Sequence, residues 1–183
     1  MTRARAEAER NIKTAAEEMH DRRVLILFST RTGTTEKAAM LLAQYFKDAD
    51  VRNIKNGRVT PERYDIVIVG SYVRNGMVDP DVRSWLIKNE KALYRKSLSF
   101  FFCNAFIERA PSIMTENFPE AFIEECVCID SFGGEINTGK LNFLEKLQLN
   151  SVMRKRKGRS RQMIPCLMTD RIEVFANTVK SEA

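Results

Sequence analysis

Five apolar residues in a row, Val24-Leu25-Ile26-Leu27-Phe28, stop abruptly at Ser29-Thr30-Arg31-Thr32-Gly33-Thr34-Thr35. A run of that length without polar alternation suits a central parallel strand covered on both faces. After the polar loop, Ala38, Ala39, Leu41, Leu42, Tyr45 and Phe46 recur at helical spacing, while Glu36, Lys37, Gln44 and Lys47 stay polar. Strand, short loop and amphipathic helix in that order form the first half of a βαβ unit.

The rest of the chain repeats the alternation. A short strand is expected near 50–54, and a second near-continuous, β-branched run covers 64–70. The loop Ser71–Asp79 leads into a helix over 80–93, with Trp85 read as core. Another buried strand spans 97–103, and a helix is expected over 112–118. The last strand is read at 125–130, followed by helical stretches at about 140–157 and 170–180. The fold class is therefore α/β: a three-layer domain with a five-stranded parallel sheet and right-handed crossovers. Residues 1–22, rich in Ala, Glu and Arg, read as a helical or disordered N-terminal arm. Residues 23–183 form one domain, as a chain of 183 residues allows.

Several chemistries are disfavoured. The four cysteines (Cys103, Cys126, Cys128 and Cys166) show no CxxC spacing. Cys126 and Cys128, two apart, would point the same way on a strand as packing residues. The sole histidine, His20, lies in the arm, so a histidine-based zinc site or Ser-His-Asp chemistry is not expected, and no metal is. Residues 1–22 lack a secretory apolar region, and no stretch approaches the ~20 apolar residues of a membrane span. The chain is thus expected to be soluble and cytoplasmic, or at most surface-associated. Its net charge of +6 is compatible with an anionic ligand, an anionic lipid surface or nucleic acid. Nucleic acid is the least favoured, because no RNP, KH or helix-turn-helix signature is present.

The loop after Phe28 carries the chemistry. An open parallel sheet binds ligands beyond the carboxyl ends of its strands. Hydroxyls of Ser29, Thr30, Thr32, Thr34 and Thr35 can donate to phosphate oxygens, and Gly33 lets successive amides face one anion. The helix N-terminus adds exposed N–H groups and roughly half a positive charge. The loop is neither a Walker A sequence nor a GxGxxG fingerprint. Helix capping alone needs fewer hydroxyls than are present.

The pattern Ser/Thr-x-Thr-Gly-x-Thr resembles the phosphate loop of the flavodoxins. The resemblance implies a sheet order of 2-1-3-4-5 and FMN as cofactor. Its phosphate contacts would be Ser29, Thr30, Arg31, Thr32, Gly33 and Thr34, with Arg31 departing from the usual uncharged pattern. The flavin ring would lie between the loops after the third and fourth strands. Those loops contribute Ser71, Tyr72, Val73, Arg74, Asn75 and Gly76 on one side and Asn104, Ala105 and Phe106 on the other. Tyr72 or Phe106 would lie against a flavin face.

A narrower resemblance rests on Leu27-Phe28-Ser29 through Thr35, Gly70-Ser71-Tyr72-Val73-Arg74-Asn75-Gly76, Ser131 to Ile136 and Lys140 to Leu147. These stretches are similar to the menaquinone-dependent protoporphyrinogen dehydrogenases. The resemblance implies oxidation of protoporphyrinogen IX or a related substrate, with a quinone or other acceptor. Arg74 or the basic segment would receive propionates. The alternative is a flavodoxin-type electron carrier that serves a redox partner and has no substrate of its own. The basic run Arg154, Lys155, Arg156, Lys157, Arg159 and Arg161 would allow peripheral contact with an anionic membrane. Arg and Lys replace apolar residues usual in that branch, which counts against quinone docking there.

Overall fold

The computed structural model describes residues 22–104, 107, 110–135 and 166–183. Its sheet holds β1 (Val24–Phe28), β2 (Asp50–Asn53), β3 (Ile66–Arg74), β4 (Met77–Val78), β5 (Ser97–Cys103) and β6 (Cys128–Ser131). Five strands run parallel in the order β2-β1-β3-β5-β6, which is the expected 2-1-3-4-5 of the parallel set. The helices are α1 (Thr34–Ala43), α2 (Pro80–Leu93), α3 (Ala110–Asn117), α4 (Glu120–Glu125) and α5 (Thr169–Glu182).

Three layers follow from the pleat. Successive residues of a strand point to opposite faces, so the unbroken run in β1 splits between two cores. Val24, Ile26 and Phe28 pack with Ala38, Ala39 and Leu42 of α1 and with Ile172, Phe175, Ala176 and Val179 of α5. Leu25 and Leu27 enter the opposite core with Val82, Trp85 and Leu86 of α2, Ile113 of α3 and Phe118. Trp85 is core, as read, and its indole N–H donates to the Val59 carbonyl at 2.9 Å. An Arg171–Asp130 ion pair ties α5 to the edge strand β6.

Three local expectations are corrected. The segment Ser71–Asp79 is not a plain loop: β3 continues to Arg74, turns at Asn75 (φ 53°) and Gly76 (φ 84°), and pairs back antiparallel through β4. Asn-Gly adopts positive φ at both turn positions, which suits a two-residue hairpin, and a return strand of two residues is too short to show alternation. The sheet therefore has six strands, one more than the five parallel ones. Next, residues 120–125 form α4, and the last strand starts at Cys128, so Glu125, Cys126 and Val127 precede it. Finally, Cys126 closes α4 and packs on the α2–α3 side, whereas Cys128 packs on the α1–α5 side. The two thiols are packing residues of opposite cores and do not share a strand face. Burial holds them at about 12 and about 11 respectively. The arm through residue 21 and the expected helix at 140–157 lie outside the described residues.

Candidate functional site

Strand register decides what meets at the carboxyl edge. Phe28 pairs with Gly70, Gly70 with Phe101, Tyr72 with Cys103, and Phe102 with Ser131. The Ser29–Thr35 loop, the β3–β4 hairpin, Asn104 and the Ser131–Glu135 stretch are thereby gathered at one end of the sheet.

The loop is held open by Gly33, which sits at φ 98° and ends it as the first residue before α1. A β-carbon there would clash with the following backbone, so only glycine adopts this conformation at low cost. The Gly33 N–H donates to the Thr30 hydroxyl at 3.0 Å, and the Gly33 carbonyl accepts from Lys37 at 3.0 Å. No side chain caps α1. The first amides of a helix have no partner within it, and here the helix starts directly from a hydroxyl-rich turn. Thr32 is half-buried, Thr34 nearly buried, and Arg31 stands at the exposed tip.

One atom in this turn is unfinished. The Thr35 hydroxyl is fully buried and lacks a hydrogen-bond partner among the described residues. Buried hydroxyls are almost always paired, because leaving one unmade costs about 1–3 kcal/mol. Its neighbour is the Cys103 thiol, which burial pushes up to about 12, with the Thr35 contact working slightly against that rise. A neutral thiol supplies little as an acceptor.

Beneath the loop lies a closed polar network. Ser29 is buried, its N–H donates to the Gly70 carbonyl at 2.9 Å, and its hydroxyl donates to the Asp79 carboxylate. Asp79 is 2% exposed and caps α2 by accepting from the Asp81 N–H at 2.9 Å. The Asp79 N–H donates to the Ser71 hydroxyl at 2.9 Å, which in turn donates to the Tyr72 carbonyl at 2.8 Å. The Tyr72 phenol is held above its ordinary range, first by burial and then by the charge and hydrogen bond of Asp79, while Arg31 opposes the shift.

The hairpin is fixed from below by Asn117 of α3. Its amide N–H₂ donates to the Gly76 carbonyl and to the Ile113 carbonyl, each at 2.7 Å, and its carbonyl accepts from the Val78 N–H at 2.9 Å. Val73 is half-buried, and Arg74 and Asn75 are exposed at the hairpin tip. Asn104 is 8% exposed and braces the neighbouring strand ends: its N–H donates to the Gly133 carbonyl, and its side-chain oxygen accepts from the Ser131 hydroxyl. Lys37 of α1 reaches Glu135 at 2.6 Å across the same edge. Ala105 and Phe106 lie outside the described residues.

Asp79 and Asn117 escaped the sequence reading. Asp79-Pro80 is legible as a helix start, but nothing local announces its bond to Ser29. Asn117 carries no motif at all.

Among the described residues no cluster of His, Cys, Asp and Glu is arranged to hold a metal ion, and no helix is long and apolar enough to cross a membrane.

A family model described as a flavodoxin domain matches residues 25–162. No curated protein sequence matches the chain. Among solved structures, the chain is similar to a Streptococcus pneumoniae TIGR4 flavodoxin at 16% identity and a TM-score of 0.51, covering 87% of this chain and 99% of that one. It is also similar to rubredoxin oxygen:oxidoreductase from Desulfovibrio gigas at 17% identity and a TM-score of 0.51, covering 92% of this chain but 39% of that one. A third similar structure is a Lactobacillus acidophilus NCFM flavoprotein in complex with FMN, at 17% identity and a TM-score of 0.45, covering 62% of this chain and 91% of that one.

Proposed function

The chain belongs to the flavodoxin domain family, and from that premise we propose that it binds FMN at the Ser29–Thr35 loop and acts as an FMN-dependent oxidoreductase. The single observation that carries the reading is the buried, unpartnered Thr35 hydroxyl at the start of α1, beside a glycine held at φ 98°. A phosphate monoester is dianionic and rich in acceptors, so it completes a turn that offers donors and no carboxylate of its own.

In this proposal the hydroxyls of Thr30, Thr32, Thr34 and Thr35 and the amides around Gly33 donate to the phosphate. Arg31 adds a cation at the rim. Ser29 belongs to the set as the residue that fastens the loop to Asp79. The flavin ring lies between the hairpin residues Ser71, Tyr72, Val73, Arg74, Asn75 and Gly76 and the segment Asn104, Ala105 and Phe106. The bound flavin supplies one- or two-electron transfer, while the protein sets its position and potential. Tyr72, anchored through Asp79, forms a fixed wall there, and its phenol stays protonated at neutral pH.

The substrate we propose is protoporphyrinogen IX or a related carboxylate-bearing reductant, with a quinone or another acceptor. Arg31 and Arg74 at the rim and the net charge of +6 support an anionic substrate. The basic run from Arg154 to Arg161 would give cytoplasmic, peripheral contact with an anionic membrane, each residue near the surface contributing about 1 kcal/mol. Titration with riboflavin 5′-phosphate tests the first claim: flavin fluorescence is expected to quench on binding, and no association at high micromolar ligand overturns it. Protoporphyrinogen oxidation by the loaded protein with a quinone present tests the second. A yellow protein inert in that assay is instead an electron carrier.

A further inference from the structure

Away from the carboxyl edge, α2 and α4 enclose an apolar groove of about 380 Å³ that the cofactor reading does not use. Leu86, Leu93, Phe118 and Phe122 line it. Two large apolar side chains stand out at its mouth: Ile87 is 73% exposed and Tyr94 62% exposed. Surface helices usually turn such residues inward.

The charges beside them are ordered. Arg83, Ile87, Glu90 and Tyr94 follow one another at spacings of four, three and four, so they share one face of α2. Arg83 and Glu90 are about 10.5 Å apart along the axis, with Ile87 between them. The helix dipole is already met by Asp81 in the first turn and Lys91 in the last, so stabilisation of α2 itself does not require the Arg83–Glu90 order. An antiparallel copy does. Turned about a two-fold axis near Ile87, a second α2 brings its Glu90 opposite Arg83 and its Arg83 opposite Glu90.

From this self-complementary order we infer that the outer face of α2 is a homodimer interface, with a second copy of this chain as the occupant of the groove. The contact is isologous, as two-fold interfaces require. Ile87 of each copy packs near the axis, at the mouth of the other copy's groove, and Tyr94 of each copy lies beyond the charge pair, over the N-terminal turn of the other α2. An apolar anchor at Ile87 with charge pairs flanking it follows the usual anatomy of such surfaces.

Sedimentation velocity on the full chain, over a concentration series reaching about 100 μM, tests the inference, because an interface of μM affinity is then saturated. The wild type is expected to sediment as a dimer, and Ile87→Glu as a monomer with an unchanged far-ultraviolet spectrum. Arg83→Glu alone and Glu90→Arg alone each juxtapose like charges twice and are expected to raise the dissociation constant at least about tenfold. The double variant R83E/E90R restores opposite signs and is expected to recover the dimer. A monomeric wild type overturns the inference, and in that case another segment such as residues 1–21, or a different molecule, is left to cover the groove. A dimer that survives Ile87→Glu overturns it too, as does a charge-swapped double variant no tighter than the singles.

Discussion

The connection from β1 to α1 and the one from β3 to α2 leave the same sheet edge, and both end at a helix N-terminus. Their polar groups are treated in opposite ways. In the second, the helix is capped by a buried carboxylate, the hairpin amide and carbonyl are taken by Asn117, and Ser71 links the strand to Asp79. In the first, α1 has no side-chain cap, its lead residue is a glycine at positive φ, and a buried hydroxyl nearby has no partner. A fold that completes one connection this thoroughly has the means to complete the other. In the proposed function, the incomplete one is where a ligand contributes, and the completed one is the mount beside it.

That contrast can be broken by experiment. Asn117→Ala should be the most damaging change, because it strands the Val78 N–H and the Gly76 carbonyl in a buried setting; a loss of about 2–4 kcal/mol is expected in chemical denaturation. A loss below about 0.5 kcal/mol would mean the hairpin is not mounted on α3. Gly33→Ala forces a β-carbon into the left-handed region at about 1–2 kcal/mol, and FMN affinity is expected to fall at least about tenfold. Unchanged affinity would remove the loop from the site.

Asp79→Asn keeps a competent helix cap but replaces a charge-assisted acceptor with a neutral one, at about 1 kcal/mol. It should also bring the Tyr72 phenol back toward its ordinary value near 10, read by ultraviolet titration of tyrosinate. The sign follows from linkage: a phenol raised in the folded state loses stability as pH climbs from about 10 through the raised value, because the unfolded chain ionises first. The wild type should therefore weaken over that alkaline window, and Asp79→Asn should weaken less. The smallest stability effect belongs to Thr35→Val. Removing an unpaired buried hydroxyl without changing shape should leave the ligand-free protein unchanged or stabilise it by up to about 1 kcal/mol, while FMN binding weakens. A clear destabilisation would show that Thr35 is already paired.

The layered sheet was legible because its signal is local and repeated. The runs at 24–28, 66–70 and 98–103 are largely apolar on both faces and need no knowledge of their neighbours. The strand-to-helix turn after Phe28 was legible for a similar reason: strand, hydroxyls, glycine and helix are adjacent in the chain. What escaped depends on distance or brevity. Asp79 meets Ser29 across fifty positions, and Asn117 meets Gly76 across forty-one. A two-residue return strand and a six-residue helix are too short to display a period. Cys126 and Cys128 lie two apart, as on one strand face, but the last strand starts only at Cys128, so Cys126 closes α4 and its thiol enters the other core.

The bridge at Gly133 also bears on how the chain can be rearranged. Gly133 pairs with Leu167, and the Gly134 N–H donates to the Cys166 carbonyl at 3.1 Å. Everything between residues 135 and 166 thus departs and returns through one doorway, with its two posts already joined. Loop-closure entropy grows only slowly with length, so a change in the number of residues between these joined ends is expected to leave the order of the five parallel strands unchanged.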